Sequence, residues 1–310
     1  MRKNLFLWAI AVIALIALPP LMSALNQPFY VDLVRRVMIF AIAAISLNLI
    51  LGYGGMVSFG HAAYLGIGAY AVGILAFYGV TNGFLQFAVA IAASAVVALA
   101  IGSISIRASG IYFIMITLAF TQMLYYLGIS LAEFGGDDGM RLKAKSQFSG
   151  LVDLRDPVAF YYLALALMLL SVFIIYRIVN SRFGMALRAA KSNEARTRAV
   201  GLSPYPYRLA AFVISGAMCG LSGALYANHT NYLTPGFMSW VQSGEFMFMV
   251  ILGGMASTAG PVLGAFALLL IEEVLKGWTE HWQVILGPLL VLSVIFFKRG
   301  LAGIFYKPDA

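Results

Sequence analysis

The chain has 310 residues, 62% of them hydrophobic and only 10% charged, with a mean hydropathy of +0.92, whereas an average soluble domain is about 25% charged. Those proportions exclude a soluble globular fold and describe an integral membrane protein. A net charge of +8 would suggest nucleic acid in a soluble chain, but here the bases cluster at the ends of apolar runs, where cytoplasmic loops and anionic lipid account for them. The single cysteine, Cys219, lies in an apolar run, which leaves neither a disulfide framework nor a thiolate metal site.

Met1, Arg2 and Lys3 precede an apolar run at 5–18, with Ser23 and Ala24 after it. This pattern fits a secretory signal or a retained first helix, and a retained helix is the expectation because no soluble segment follows that would need export. Crossing the hydrocarbon core takes about 20 apolar residues. Ten runs come near that length: 5–22, 34–51, 56–78, 84–106, 110–131, 158–179, 207–228, 245–258, 261–276 and 283–297. The eighth and ninth are short, and a tight turn at 257–260 suggests a hairpin that does not reach both faces. The sequence predicts an all-α integral membrane protein of about ten transmembrane helices, some short or broken, in one domain over 1–310.

Ten spans with a cytoplasmic N-terminus place both termini inside. They gather there Arg2, Lys3, Arg107, Arg177, Arg182, Arg188, Lys191, Arg196, Arg198, Arg208, Lys298, Arg299 and Lys307. Arg35, Arg36, Arg141, Lys143, Lys145, Arg155 and Lys276 remain outside. The polar segment 132–156 becomes an outer loop. Its EFGGDDG opening is turn chemistry, and it reads as a solvated loop or as a contact for an external binding protein. Calcium-loop spacing is missing, so no metal is assigned.

The stretch GYGGMVSFGHAAYLGIGAYAVG, 52–73, is too rich in glycine and alanine for a lipid-facing helix. Small residues mark where helix backbones approach closely in lipid, so this helix is expected at the centre. Gly52, Gly54 and Gly55 predict a break, tolerable at membrane depth only where protein or a water-filled cavity covers the backbone; transporters use such broken helices in binding paths. A similar stretch, GGMASTAGPVLGAF, recurs at 253–266, by duplication or by chance.

Polar residues within the runs are few: Asn48, Ser58, His61, Thr117, Thr121, Gln122, Asn228, His229, Glu245, Glu272 and Glu273. Each marks either a functional position or a hydrogen bond between helices. Ser58, His61, Thr117 and Gln122 are the candidates for a substrate path. Glu272 and Glu273 are expected to face water near an outer end, and Glu245 to begin a span, where a carboxylate suits the helix dipole.

The cytoplasmic segment 180–205 carries Arg182, Arg188, Lys191, Arg196 and Arg198 against one acid, Glu194. Ala186, Leu187, Ala190 and the aliphatic part of Lys191 recur at helical spacing, bracketed by Gly184 and Gly201, with Pro204 and Pro206 closing the segment. It is either a solvated loop that obeys the positive-inside rule or a docking helix for a soluble partner.

No GxxxxGK(S/T) phosphate loop, HExxH or GxSxG motif occurs, which argues against an enzyme and against ATP binding by the P-loop route. Few carboxylates lie within the spans. That favours a separate motor over ion coupling, although a secondary transporter acting alone and a non-transporting membrane scaffold remain the rival readings.

Six motifs in order, NLILGYGGMVSFGHAAYLGIGAY, RASGIYFIMITLAF, FGGDDGM, SRFGMALRAAKSNEARTRAVGL with AFVISGAMCGLSGALYA, VILGGMASTAGPVLGAF and IFFKRGLAGIF, resemble the LivM-type permease subunits of bacterial ABC importers for branched-chain and other hydrophobic amino acids. The departures are Met140 where leucine is usual and Lys298 where proline is common. The resemblance implies a second homologous permease, two P-loop ATPase subunits holding ATP and Mg, a periplasmic binding protein that delivers substrate, and residence in the bacterial inner membrane. This chain itself would hold no cofactor. Within 180–205 the resemblance marks Gly184, Leu187, Arg188, Ala189, Asn193, Glu194 and Gly201 as the coupling helix that seats in an ATPase groove. The cargo is left open between leucine-like or other neutral amino acids and amides or urea.

Overall fold

The computed structural model describes residues 2–148, 150, 152–296 and 300–305. In chain order the helices are α1 (Arg2–Ala24), α2 (Pro28–Asn48), running on as a π-turn (Leu49–Tyr53), α3 (His61–Phe77), α4 (Gly83–Ser105), α5 (Ile111–Ser130) and α6 (Pro157–Val179). Then come α7 (Arg182–Ser192), α8 (Glu194–Ala199), α9 (Pro204–Thr230), α10 (Trp240–Gly253), α11 (Gly260–Trp278), α12 (Trp282–Phe296) and the short α13 (Ala302–Phe305). The fold is all-α apart from an antiparallel contact between β1 (Met140–Arg141) and β2 (Tyr232–Leu233). Phe297, Lys298, Arg299 and Lys307, which the sequence reading used for its tenth span and inner charges, lie outside the described residues.

Among the described residues five helices are long and apolar enough to cross a membrane: Pro28–Tyr53, Gly83–Ser105, Ile111–Ser130, Pro157–Val179 and Pro204–Thr230; Ile10–Ala24, His61–Phe77 and Trp282–Leu292 are shorter apolar helices. Several start where local chemistry requires. Asn82 caps α4 by accepting from Phe84 N and Leu85 N, Asp156 caps α6 ahead of Pro157, and Ser203 precedes α9 with Pro204 in its first turn. The expected third run, 56–78, is corrected: residues 54–60 are not helical and α3 begins at His61. The eighth run is corrected as well, since α10 begins at Trp240 behind the Ser239 cap and Glu245 lies within it. α10 and α11 form a tight antiparallel hairpin, in which β-carbons at Gly253 and Gly264 would lie 1.8 Å from Gly260 O and Met249 O.

The centre belongs to α2. Every residue from Val37 to Ile50 is fully or almost fully buried, with α6, α9, α10 and α11 packed around it. The glycine-rich α3 lies beside it, against α4 and α9. Its crossing with α9 is close because side chains are missing there: a β-carbon at Gly68 would lie 2.1 Å from Gly220 O, and one at Gly223 would lie 1.9 Å from Leu65 O. Gly220 in turn meets Ser94 of α4, where a β-carbon would lie 2.2 Å from the hydroxyl. Dispersion between backbones in contact, rather than water exclusion, holds such crossings in lipid.

At the end opposite α7, the 132–156 segment is tied into the helices rather than solvated throughout. Gly83 N donates to Gln147 O, Leu142 N to Asn231 O, and Ser146 bonds Gln86 and Asn228. Phe134, Phe148 and Leu154 are buried. Gly135, Gly136 and Gly139 all have positive φ, as the EFGGDDG pattern requires, and a β-carbon at Gly139 would lie 2.1 Å from Leu233 O.

Candidate functional site

The interruption between α2 and α3 begins as a π-turn. Gly54 N bonds Leu49 O at 3.1 Å and Met56 N bonds Ile50 O at 2.9 Å, after which Gly55 adopts φ +69°. Because Met56 N is taken by Ile50, the carbonyl of Gly52 has lost its α-helical partner. Short π stretches within α-helices often occur at functional sites.

The rest of the interruption is satisfied by side chains of neighbouring helices. Gly60 N donates to Ser58 Oγ at 3.1 Å, Phe59 N to Thr117 Oγ1 at 3.3 Å, and Thr121 Oγ1 to Phe59 O at 3.0 Å. Ala62 N donates to Ser243 Oγ at 2.9 Å. His61 Nε2 lies 2.6 Å from Ser215 Oγ, and the single hydroxyl proton of Ser215 goes to Ser46 O, so Nε2 is the donor. His61 Nδ1 is buried without a hydrogen-bond partner among the described residues. The structure therefore brings together Ser58, His61 and Thr117, all essentially unexposed. Gln122, one residue further round α5 than Thr121, is half-buried and takes no part in these contacts.

The turn of the α10–α11 hairpin uses similar local chemistry. Residues 254–259 separate α10 from α11, Gly254 has φ +115°, and Gly260 N donates to Ser257 Oγ at 3.1 Å, as Gly60 N does to Ser58. The two turns touch: buried Asn48 donates from Nδ2 to Ser257 O at 2.8 Å and accepts from Ala256 N at 3.1 Å. A cavity of about 560 Å³ opens beside them, lined among others by Tyr53, Tyr176, Arg188 and Ser257. A smaller one of about 120 Å³ meets Gly54, Gly55, Gly110 and Arg208. Ser58, His61, Thr117 and Gln122 line neither.

The segment expected to be one short helix is two, with Asn193 as the joint. It ends α7 in an extended conformation and caps α8 by accepting from Arg196 N at 2.9 Å. Gly184 lies inside the first turn of α7, behind the Ser181 cap, rather than ahead of the helix; its β-carbon would lie 2.1 Å from Val179 O. Gly184, Ala186, Leu187 and Ala190 form the buried face, Ala189 is half-buried, and Arg188 is exposed. Gly201 has φ +84° with open space around it and turns the chain toward α9. Glu194 is partly exposed and paired: it accepts from Arg208 Nη1 at 2.8 Å and from Arg198 Nη2 at 2.6 Å.

Another group of charges lies at the opposite end. Glu272, expected to face water, is buried and pairs with Arg36 at 3.6 Å and with Lys276 one turn along. Arg35 pairs with Asp32 and donates to His229 Nδ1 at 3.1 Å. Sequence reasoning missed Ser215, Ser243 and Lys191. The serines lie in runs of small residues with no local signal, and the lysine's contact is 139 residues away.

These features define a helical membrane protein in which the break between α2 and α3 touches the turn of the α10–α11 hairpin, with a folded basic connector beside them. The profile of the branched-chain amino acid transport system permease component matches residues 29–294, and the chain belongs to that family. It is similar to the high-affinity branched-chain amino acid transport system permease proteins LivM of Salmonella typhimurium and of Escherichia coli, each 30% identical over 97% of this chain and 75% of the relative. The Escherichia coli permease protein LivH is 26% identical over 85% of this chain and 91% of its own length.

Proposed function

We propose that this permease component is the membrane-spanning half of an ATP-driven importer in the bacterial inner membrane, with ten spans and both termini cytoplasmic. Its cargo is a branched-chain or other neutral, hydrophobic amino acid, delivered on the outer side by a periplasmic binding protein. A second, homologous permease completes the channel, and two P-loop ATPases carrying ATP and Mg supply the energy. The connector α7–α8 is the docking element, with Gly184, Leu187, Arg188, Ala189, Asn193, Glu194 and Gly201 setting its shape and contacts. Substrate passes near Ser58, His61, Thr117 and Gln122, beside the first interruption.

The observation that carries this reading is the two-faced connector next to the break between α2 and α3. Gly184, Leu187 and Ala190 fasten α7 to the bundle, while Arg182, Arg188 and Arg196 are exposed and have no carboxylate partner among the described residues. A basic, outward face on a rigid element beside a break in the membrane domain suits an acidic groove on a soluble partner.

The test is capture of the tagged chain from native membranes in gentle detergent. Co-purification of a P-loop ATPase and a homologous permease, with the ATPase lost on deleting 182–199, is the expected result. A chain that emerges alone and moves leucine on an ion gradient would overturn the reading.

A further inference from the structure

We propose that Lys191 is the positioning residue through which α7 grips the first interruption, so that displacement of the connector is delivered to residues 52–60. This rests on the reading of α7–α8 as the docking element and assigns the contact by which docking reaches the membrane domain.

Lys191 lies one residue before the end of α7; the residue is exposed, but its ammonium reaches the α2–α3 interruption. Its Nζ donates to Gly52 O at 2.6 Å, a short charge-assisted bond to the carbonyl that the π-turn left without a helical partner. An ammonium at that place also faces the negative end of α2. The aliphatic stem lies along Gly55: a β-carbon there would be 2.8 Å from Lys191 Cγ and 3.3 Å from Cδ. The positive φ of Gly55 and its missing side chain together make the groove for the stem. Among the described residues no carboxylate lies within ion-pair distance of Lys191, so the peptide carbonyl holds the charge.

What Lys191 holds is connected onward at both ends. Gly52 sits against the second turn, where its β-carbon would lie 2.5 Å from Ala256 N, and Asn48 bonds that turn at Ala256 and Ser257. At the far end of the interruption, Thr117 and Thr121 of α5 hold Phe59. One backbone carbonyl thus lies where the connector, the second turn and the non-helical segment meet. A lysine bound to that carbonyl favours the arrangement of the π-turn in which the carbonyl faces α7 over any arrangement in which it does not.

The experiment uses the complex with its ATPases in proteoliposomes, with leucine as probe, and compares wild type, Lys191→Met and Lys191→Arg. Three quantities are read: ATP hydrolysis, uptake, and the change ATP causes in hydrogen exchange at amides 52–60. Lys191→Met is expected to assemble and hydrolyse ATP while uptake falls about tenfold or more, the factor for losing a charge-assisted hydrogen bond from one of two states. Its exchange at 52–60 no longer responds to ATP, and Lys191→Arg, a charged donor of similar reach, restores both. Normal uptake and exchange response in Lys191→Met overturn the proposal. Failure of that variant to assemble also overturns it, since the contact then serves folding. A wild-type chain that retains no ATPase overturns the importer reading itself, a result that no Lys191 variant can produce.

Discussion

Glu194 of α8 holds Arg208 at the foot of α9 at 2.8 Å, and the same guanidinium donates through Nη2 to Ala190 O of α7 at 3.1 Å. One ion pair therefore joins both helices of the connector to the foot of α9. Burial pushes the Glu194 carboxyl up, but the hydrogen bonds and charges of Arg208 and then Arg198 outweigh it and hold the carboxyl below its ordinary 4.5. A depressed carboxylate contributes at neutral pH and loses its contribution as pH falls through the lowered value, below the ordinary range. Amide exchange in α8 should accelerate over that acid window in wild type. In Glu194→Gln it should already be faster at pH 7 and flat through the window. The effect is modest, because the carboxylate is 38% exposed.

Gly184→Val places a side chain where a β-carbon alone would lie 2.1 Å from Val179 O. The first turn of α7 must move. ATP hydrolysis by the assembled complex is expected to persist while uptake drops by about tenfold, a difference near 1.4 kcal/mol between coupled states, measured as leucine transported per ATP consumed. Transport at the wild-type ratio would show that the position of α7 is immaterial.

Gly223→Ala tests the crossing of α3 and α9. Its β-carbon would lie 1.9 Å from Leu65 O, a backbone atom that cannot yield, so the cost should exceed the usual 1–3 kcal/mol or so for overpacking. Thermal denaturation in detergent should show a large drop. Gly277→Ala in α11, which meets nothing within 4 Å, is the matched control; it should be neutral or gain up to about 1 kcal/mol from helix propensity.

Asn48→Ala leaves Ala256 N and Ser257 O without their partner between the α2–α3 break and the hairpin turn. Ala256 is exposed and Ser257 half-buried, so water takes up part of the loss and the cost should lie below the figure of about 1–3 kcal/mol for a fully buried unpaired group. Asn48→Asp keeps an acceptor for Ala256 N but no donor for Ser257 O, and its melting temperature should lie below wild type.

Thr117→Val and Thr121→Val remove the hydroxyls that hold Phe59 while keeping nearly the same shape. If the path runs beside the interruption, uptake should fall in both while Gln122→Ala, outside these contacts, has the smaller effect. Equal transport by the two valine variants and wild type would place the path elsewhere.

Much of this architecture was legible in the chain. Hydropathy separates the apolar runs, because about 20 residues are needed to cross hydrocarbon whatever the fold. Gly54, Gly55 and Gly254 announce the break and the turn, since positive φ and close backbone approach favour the residue without a β-carbon. The buried face of α7 followed from helical spacing, as did the turn at 135–139 from its glycines. Local rules reached these features because their causes are local.

Which helix is central was not local. α6 is more apolar than α2, yet 94% of the most apolar window of the span that includes α2 is buried and only 39% of that of α6. In lipid an apolar side chain is as well solvated outside the bundle as inside it, so hydropathy does not rank them. Burial of Glu272 against Arg36 and the reach of Lys191 to Gly52 depend on partners distant in sequence, through charges and carbonyls that pair only once the helices have packed. Sequence alone determined that this chain crosses a membrane, that the chain breaks near Gly52–Gly55 and turns near 257–260, and which family it resembles. Tertiary structure decided which broken ends meet and which connector residue touches them, because a hydrogen bond is set by the position of two atoms in space and not by their order along the chain.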